Sequence, residues 1–340
     1  MPMALSVIIP VYNAAPYLAG RLESIRKQLT SNSEIICIDD GSTDGSAAIL
    51  DDYARRDSRI RVLRQDRRGA GAARNAGFAV ARGDGLWFVD ADDRIDGSAI
   101  LPALREAAAS SNPPDVLLFN ADELDARTQW RTPVPLRIKL AETRADPRWL
   151  ASCGTAPWNK IFRRAFVERH GLRFQEIART NDAAFVATAL CLARTIRVVP
   201  AVGYVYRINA GGSLQQTNAR SPLCFYDAVT EIAARLKAHD VFAANEAAFK
   251  FLALRMIVGN VFSLRSPETF AQVCAFLRTR GDEFGLLDAS NLPIPHSLLA
   301  TYRTILRGRL PNRTIGRIAF SIYNRGFMSF AKHAIGRLKK

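Results

Sequence analysis

The chain has 340 residues, 48% hydrophobic and 23% charged, which is enough apolar content for a full core and excludes a disordered or fibrous chain. Its 47 lysines and arginines outnumber 32 acids, and the net charge of +15 points to an anionic partner: nucleic acid, nucleotide or membrane surface. The longest apolar stretch, 242–264, is broken by Glu246, Lys250 and Arg255, and residue 1 runs into a strand without a basic or apolar leader, so neither a membrane span nor a secretory signal is expected.

In chain order, the β-branched run 6–11 predicts a strand, and Asn13 with Pro16 starts a helix carrying Leu18, Leu22, Ile25 and Leu29. Residues 34–38 form a second strand that ends in a polar turn, 39–46, capping a helix with Ile49, Leu50 and Tyr53. A short strand at 60–63, a glycine-rich turn, a helix at 71–81 and a strand at 86–89 follow. Residues 115–120 read as another strand, 130–140 as an edge strand or hairpin limited by Pro133 and Pro135, 179–193 as a helix and 198–206 as a strand. From Pro222 onward the pattern is mainly helical.

Strands alternating with helices predict an α/β fold: a mostly parallel, Rossmann-like sheet covered on both faces, with ligands at the carboxyl ends of the strands. Those ends carry Pro10, Val11 and Tyr12, then Asp39, Asp40 and Gly41, then Asp90, Ala91 and Asp92, so three polar turns converge on one rim. The domain boundary is expected near Ser221, with a catalytic body at 1–221, divided into halves of about 1–111 and 112–221, and a basic helical region at 222–340.

The run Val89-Asp90-Ala91-Asp92-Asp93 places three carboxylates within four residues, which persist together in their charged forms when water or a cation such as Mg²⁺ or Mn²⁺ separates them. The plainer reading is a solvated turn in which Asp92, Asp93 and Asp96 cap the next helix. The five cysteines lack a Cys-Xaa-Xaa-Cys pair and the four histidines lack ligand spacing, which suits a reducing compartment and argues against a zinc site.

Seven pieces in order carry a resemblance: residues 6–13, 38–44, 73–77, 90–93, 158–163, 181–185 and 204–207. Together they resemble the family 2 glycosyltransferases of the GT-A fold over roughly residues 4 to 215. The resemblance implies that Pro10, Val11, Tyr12 and Asp40 hold the base of a nucleotide-diphosphate sugar, Asp40 accepting from a uracil NH while Asp39 braces the turn. It implies that Asp90, with Ala91 beside it, contacts ribose or the metal shell and that Asp92 binds Mg²⁺ or Mn²⁺ directly, leaving Asp93 either to support these acids from behind or, the preferred reading, to cap the next helix.

Arg74 is expected to reach a phosphate or lock the acid turn, or else to be a plain helix-face arginine. Asp182 matches the family's general base, the alternative being a helix N-cap. Two positions depart from the family's pattern: Arg67 stands where asparagine is frequent, and Asn181 where glutamate is usual. Losing the glutamate charge predicts a lower Asp182 pKa and a weaker base unless burial compensates. Trp158 is read as a sugar-stacking or core residue, Lys160 as a partner of phosphate or an acidic acceptor, and Tyr204, Tyr206 and Arg207 as scaffold.

No acid follows Asp288, whereas basic residues recur through two predicted helices at 298–310 and 315–338, separated by Pro311 and Asn312. They either lie on an anionic membrane or pack on the body. The resulting expectation is a cytoplasmic enzyme, peripheral on the inner membrane face if the tail binds lipid. It would be inverting and metal-dependent, moving a sugar from a UDP-linked donor to a polysaccharide or lipid-linked oligosaccharide. Other readings are a GDP- or dTDP-sugar donor, a protein acceptor, or a non-catalytic or nucleic-acid-binding basic protein. Nucleic acid is not expected, because the rim is acidic and aromatics are not interleaved with the arginines.

Overall fold

The computed structural model describes residues 4–134, 136–208, 220–291, 296–309, 311–312 and the even-numbered positions from 314 to 320. The chain divides into two compact units: one comprises Met1–Thr143 with Cys153–Ser213, the other Arg144–Ser152 with Leu214–Lys340.

The first unit is built on one nine-stranded sheet. β1 (Leu5–Val11), β2 (Glu34–Asp39), β3 (Ile60–Arg64) and β4 (Gly85–Phe88) are parallel, in spatial order β3-β2-β1-β4. They are joined by α1 (Ala15–Gln28), α2 (Ser46–Arg56) and α3 (Ala70–Val80). β1 is almost wholly buried because helices cover both faces, which explains its unbroken apolar run. Gly77 permits the close seat of α3 on the sheet: a Cβ there would meet Ile8 at 2.6 Å and Ile38 at 2.7 Å.

β5 (Arg94–Ile95) and α4 (Gly97–Ala109) follow the acid turn. β6 (Val116–Asp125) and β7 (Arg131–Pro133) form a hairpin, β8 (Lys160–Arg163) lies antiparallel between β4 and β6, and β9 (Ile196–Ile208) pairs parallel with β6. Of the edge element expected at 130–140, only β7 is strand; Leu140 opens the short helix α5 (Leu140–Thr143). β6 also runs five residues past its expected end at Asn120, to Asp125.

After α6 (Trp149–Ser152), which belongs to the second unit, come α7 (Arg164–Arg169) and α8 (Ala183–Leu192). α8 begins four residues later than expected, since Thr180 sits at φ 57° and cannot continue a helix. Nearly all of α8 is buried, with Phe185 stacked on Phe174 at 4.1 Å and edge-on to Phe88 and Phe162.

The second unit is helical. α9 (Cys224–Ala238), α10 (Phe242–Ser263), α11 (Pro267–Arg280) and α12 (His296–Leu306) bury Ile232, Leu254, Ile257, Val273 and Leu299. Ser266 caps α11 by accepting from Thr269 N–H, with Pro267 in the first turn. Arg255 ties α10 to α6 through the Ala151 carbonyl. The helix expected at 298–310 appears as α12, while the one expected at 315–338 lies, apart from a few positions up to 320, outside the described residues. No helix among the described residues is long and apolar enough to cross a membrane.

Candidate active site

The carboxyl ends of β1, β2 and β4 share one rim, since all three run in the same direction. Asp40 N–H donates to the Val11 carbonyl at 2.8 Å, drawing the ends of β1 and β2 together. Asp39 braces its turn by accepting from Ser42 N–H, as expected. Asn13, at φ 48°, clasps Thr43 through its amide oxygen.

Asp40 is differently placed from the expectation of a free base-binding acid. Its carboxylate is buried and already takes Gln65 Nε2 and Arg68 N–H on one oxygen and Gly69 N–H on the other. It holds the 65–69 loop, leaving capacity for a ligand only on Oδ2. That loop carries Arg67, whose guanidinium lies 4.1 Å over the ring of the exposed Tyr12, so the departure from asparagine supplies a cation–π contact at the rim.

The acid turn is built from both sides of the sheet. Tyr204, fully buried on β9, accepts from Asp90 N–H at 3.1 Å and donates to Asp93 Oδ2 at 2.7 Å, while Arg207 N–H donates to Asp93 Oδ1. Asp93 is thus a buried brace behind the acid turn, the other of its two expected roles, and not the preferred helix cap. The first N–H of α4, that of Gly97, goes to Gln28 Oε1 instead, and Asp96 makes no cap bond to the helix. Burial and the neighbouring charges of Asp90 and Asp92 push the Asp93 pKa well up.

Asp92 is half-buried on the same turn, with its pKa raised first by desolvation and then by Asp90, and eased by Arg207 and Arg21. Arg21 also donates to the Asp92 carbonyl. Ala91 is buried between the acids.

Arg74 projects from α3 into this turn. Its buried guanidinium donates Nη2 to Asp90 Oδ1 at 2.7 Å and Nη1 to Asn181 Oδ1 at 2.9 Å. It is a lock on the acid turn and not an exposed helix-face arginine. The segment bearing Asn181 and Asp182 is held against α3 by a two-way clamp between the Asn75 amide and the Phe174 main chain. Gly71 allows this approach, since a Cβ would fall 2.0 Å from the Gln175 carbonyl.

Asp182 stands at the start of α8 and makes no side-chain cap bond. It remains partly exposed, yet protein crowds its carboxyl, and desolvation pushes its pKa up. Arg74 and Lys160 oppose the shift and Asp90 adds to it. Burial therefore compensates for the missing glutamate, and the Asp182 pKa lies above its ordinary value.

Two acceptor-side expectations are corrected. Lys160 is fully buried and spends all three N–H donors on the Cys153 and Ala156 carbonyls and the Asn159 amide, so it is a strut that cannot also pair with a phosphate. Burial pulls its pKa down to about 7. Trp158 is 8% exposed and stacks on Tyr204 at 4.7 Å and Tyr206 at 5.6 Å, which makes it core.

The structure thus gathers Asp90 and Asn181 around the Arg74 guanidinium, with Asp182 next in the chain to Asn181 and Asp92 on the adjoining turn, and leaves Lys160 and Trp158 buried. Arg21 was not legible, because nothing in the sequence marks one arginine of α1 as facing a turn seventy residues away.

Residues 6–171 match the profile described as Glycosyl transferase family 2. EpsH of Bacillus subtilis (strain 168), named as a glycosyltransferase, is 33% identical over 225 residues, 63% of each chain. TarS of Staphylococcus aureus (strain Mu50 / ATCC 700699), a poly(ribitol-phosphate) beta-N-acetylglucosaminyltransferase, is 29% identical over 252 residues, covering 72% of this chain and 42% of its own. The chain therefore spans less than two thirds of the length of these relatives. The crystal structure of S. aureus TarS 1-349 with UDP-GlcNAc superposes with a TM-score of 0.67 at 22% identity, over 95% of this chain and 92% of that one. The mannosyltransferase PcManGT from Pyrobaculum calidifontis, in complex with GDP-Man and Mn2+, gives 0.56 at 20%, over 95% and 87%. These likenesses fix the fold as GT-A.

Proposed function

Residues 6–171 match the profile of glycosyl transferase family 2, and we propose that this chain, as a member, moves a sugar from a nucleotide-diphosphate donor, UDP-linked, to a hydroxyl of a growing polysaccharide or lipid-linked oligosaccharide, with inversion. The observation that carries this reading is the single Arg74 guanidinium bonded both to Asp90 of the acid turn and to Asn181, the neighbour of Asp182. A donor group and an acceptor base must lie side by side for direct displacement, and Arg74 ties their two segments together.

Asp182 is the general base: its carboxyl takes the proton of the acceptor hydroxyl as that oxygen attacks the anomeric carbon and the nucleotide leaves. A raised pKa strengthens it for that task, and the Arg74 charge opposes the rise. Tyr12 and the main chain of Pro10 and Val11 border the base site, and Arg67 over Tyr12 adds a cation there.

The acid turn fits a divalent cation. No three metal-ligating side chains cluster among the described residues, but Mg²⁺ and Mn²⁺ sites on nucleotides need only one or two carboxylates, the rest being phosphate and water. Asp92, crowded by Asp90, would hold the ion, with Asp90 beside it. Such an ion would neutralise charge on the departing diphosphate.

TarS was crystallised with UDP-GlcNAc, which supports a UDP-linked donor; PcManGT with GDP-Man keeps GDP as the second choice. A cytoplasmic site of action, peripheral to the membrane through the basic C-terminal region, accompanies the proposal. The test is Asp182→Asn assayed by UDP release from a UDP-sugar panel: transfer should be abolished while UDP binding persists. Equal activity in the variant would remove Asp182 from the base role.

A further inference from the structure

The β6–β7 hairpin stands well above the rim. Trp87 of β4 faces Ile161 of β8, which faces Leu117 of β6, so Trp87 and Leu117 share a level across the sheet. Asp90 and Asn120, each three residues further on, end at one height. From Asn120, β6 continues to Asp125, whose N–H donates to the Trp130 carbonyl at 2.9 Å. At a strand rise of roughly 3.3 Å per residue, Trp130 stands about 17 Å above the level of Asp90, while Asp93, which accepts from Arg207 N–H beside Leu124, lies one residue below Asp125.

The face is also defined. Side chains alternate along β6, so Asp125, Glu123 and Ala121 share one side, and their parallel partners on β9 are Ile208, Tyr206 and Tyr204. Trp130, paired with Asp125, belongs to that side. It is the side on which Tyr204 holds the acid turn and Tyr206 packs on Trp158. Arg131 takes the opposite side, where it pairs with Asp122. Ala121, Glu123 and Asp125 thus lead along this face from the acid turn to Trp130.

Trp130 is 61% exposed, and among the described residues Tyr12 and Ile318 are the other large exposed hydrophobics. Its turn neighbours are Arg127, Thr128 and Gln129, polar groups that hydrogen-bond to hydroxyls. A tip that inserts into lipid needs apolar companions, which this hairpin lacks. An indole face ringed by hydrogen-bonding groups suits a sugar ring, apolar on one face and polar at its edge.

We propose that Trp130 is a stacking subsite for a sugar of the acceptor saccharide other than the one that receives the new sugar. This rests on the reading of the rim as the transfer site. The subsite makes the enzyme prefer a chain over a single sugar.

The test applies the full chain, Trp130→Ala and Trp130→Phe to a printed array of bacterial-surface oligosaccharides one to eight sugars long, with UDP titration in Mn²⁺ run on the same samples. Wild type should hold longer oligomers more tightly than mono- and disaccharides. Trp130→Ala should lose roughly tenfold on the longer ones and become indifferent to length. Trp130→Phe should recover part of the loss, and UDP binding should be unchanged in all three, which shows the variants folded. Equal length dependence in Trp130→Ala, or no retention of any glycan by wild type, would overturn the proposal. Failure of UDP to bind wild type would instead refute the donor-site reading, leaving the length dependence to stand or fall by itself.

Discussion

Arg74 donates to Asp90 at 2.7 Å from a guanidinium that is itself buried, while Asp90 keeps part of its side chain open to the rim. One end of the ion pair is fixed by packing over Phe174 and the other faces ligand. Removing the cation would leave Asp90 beside Asp92 and Asp93 with no nearby compensation from α3. Arg74→Ala should lower stability by about 2 kcal/mol, between the values for exposed and fully buried pairs, and transfer should fall at least tenfold. Urea midpoints and UDP release measure both. Arg74→Lys, which cannot span Asp90 and Asn181 together, should keep most of the stability and lose most of the activity.

Asn181 touches Arg74 with an amide oxygen where a carboxylate would bring charge. Asn181→Asp keeps the shape and adds a negative charge next to Asp182. A like charge raises a carboxyl pKa, and a base works only when deprotonated, so the acid limb of kcat/KM against pH should move to higher pH. An unmoved limb would mean that Arg74 fully absorbs the new charge.

Asp92 and Asp93 both have raised pKa values, caused first by burial and then by their acidic neighbours. Between the unfolded and folded pKa the unfolded chain binds fewer protons. The stability linked to these groups is therefore complete below the ordinary carboxylate range and is lost as pH rises through the folded pKa. Asp92→Asn removes one crowded charge and should stabilise the metal-free protein at pH 7 by about 1 kcal/mol. It should also abolish any rise in melting temperature on adding Mn²⁺ with UDP. A wild-type protein that stays equally stable from pH 4 to 8 would contradict this assignment of strain.

Gly71 faces the Gln175 carbonyl so closely that no side chain fits, and backbone must move to admit one. Gly71→Ala should cost about 2 kcal/mol as an overpacking change and push the 174–182 segment away from Arg74. Activity should drop more than UDP affinity, since the base moves and the base-binding rim does not. A parallel loss of both would place the damage elsewhere.

Much of the sheet was legible because both-face burial writes itself as unbroken runs such as 6–11 and 34–38. The acid turn was legible because closely spaced carboxylates at a strand end have few uses. What stayed hidden depends on distant partners. Asp93 looks like a cap until Tyr204 and Arg207, more than a hundred residues on, take its two oxygens. Lys160 looks available until three neighbouring acceptors consume its protons. Asp40 looks wholly available until the 65–69 loop takes up one of its oxygens and part of the other. In each case a polar residue type announces chemistry, and only the third dimension shows whether its hydrogen-bonding capacity is already spent.

The central claim, a metal-assisted UDP site on the acid rim, is tested most directly by calorimetric titration of UDP and of GDP, with and without Mn²⁺, on wild type and Asp92→Ala. The account predicts UDP binding that strengthens with Mn²⁺, exceeds that of GDP and is lost in Asp92→Ala. UDP binding indifferent to both Mn²⁺ and Asp92, or no nucleotide binding at all, would contradict it.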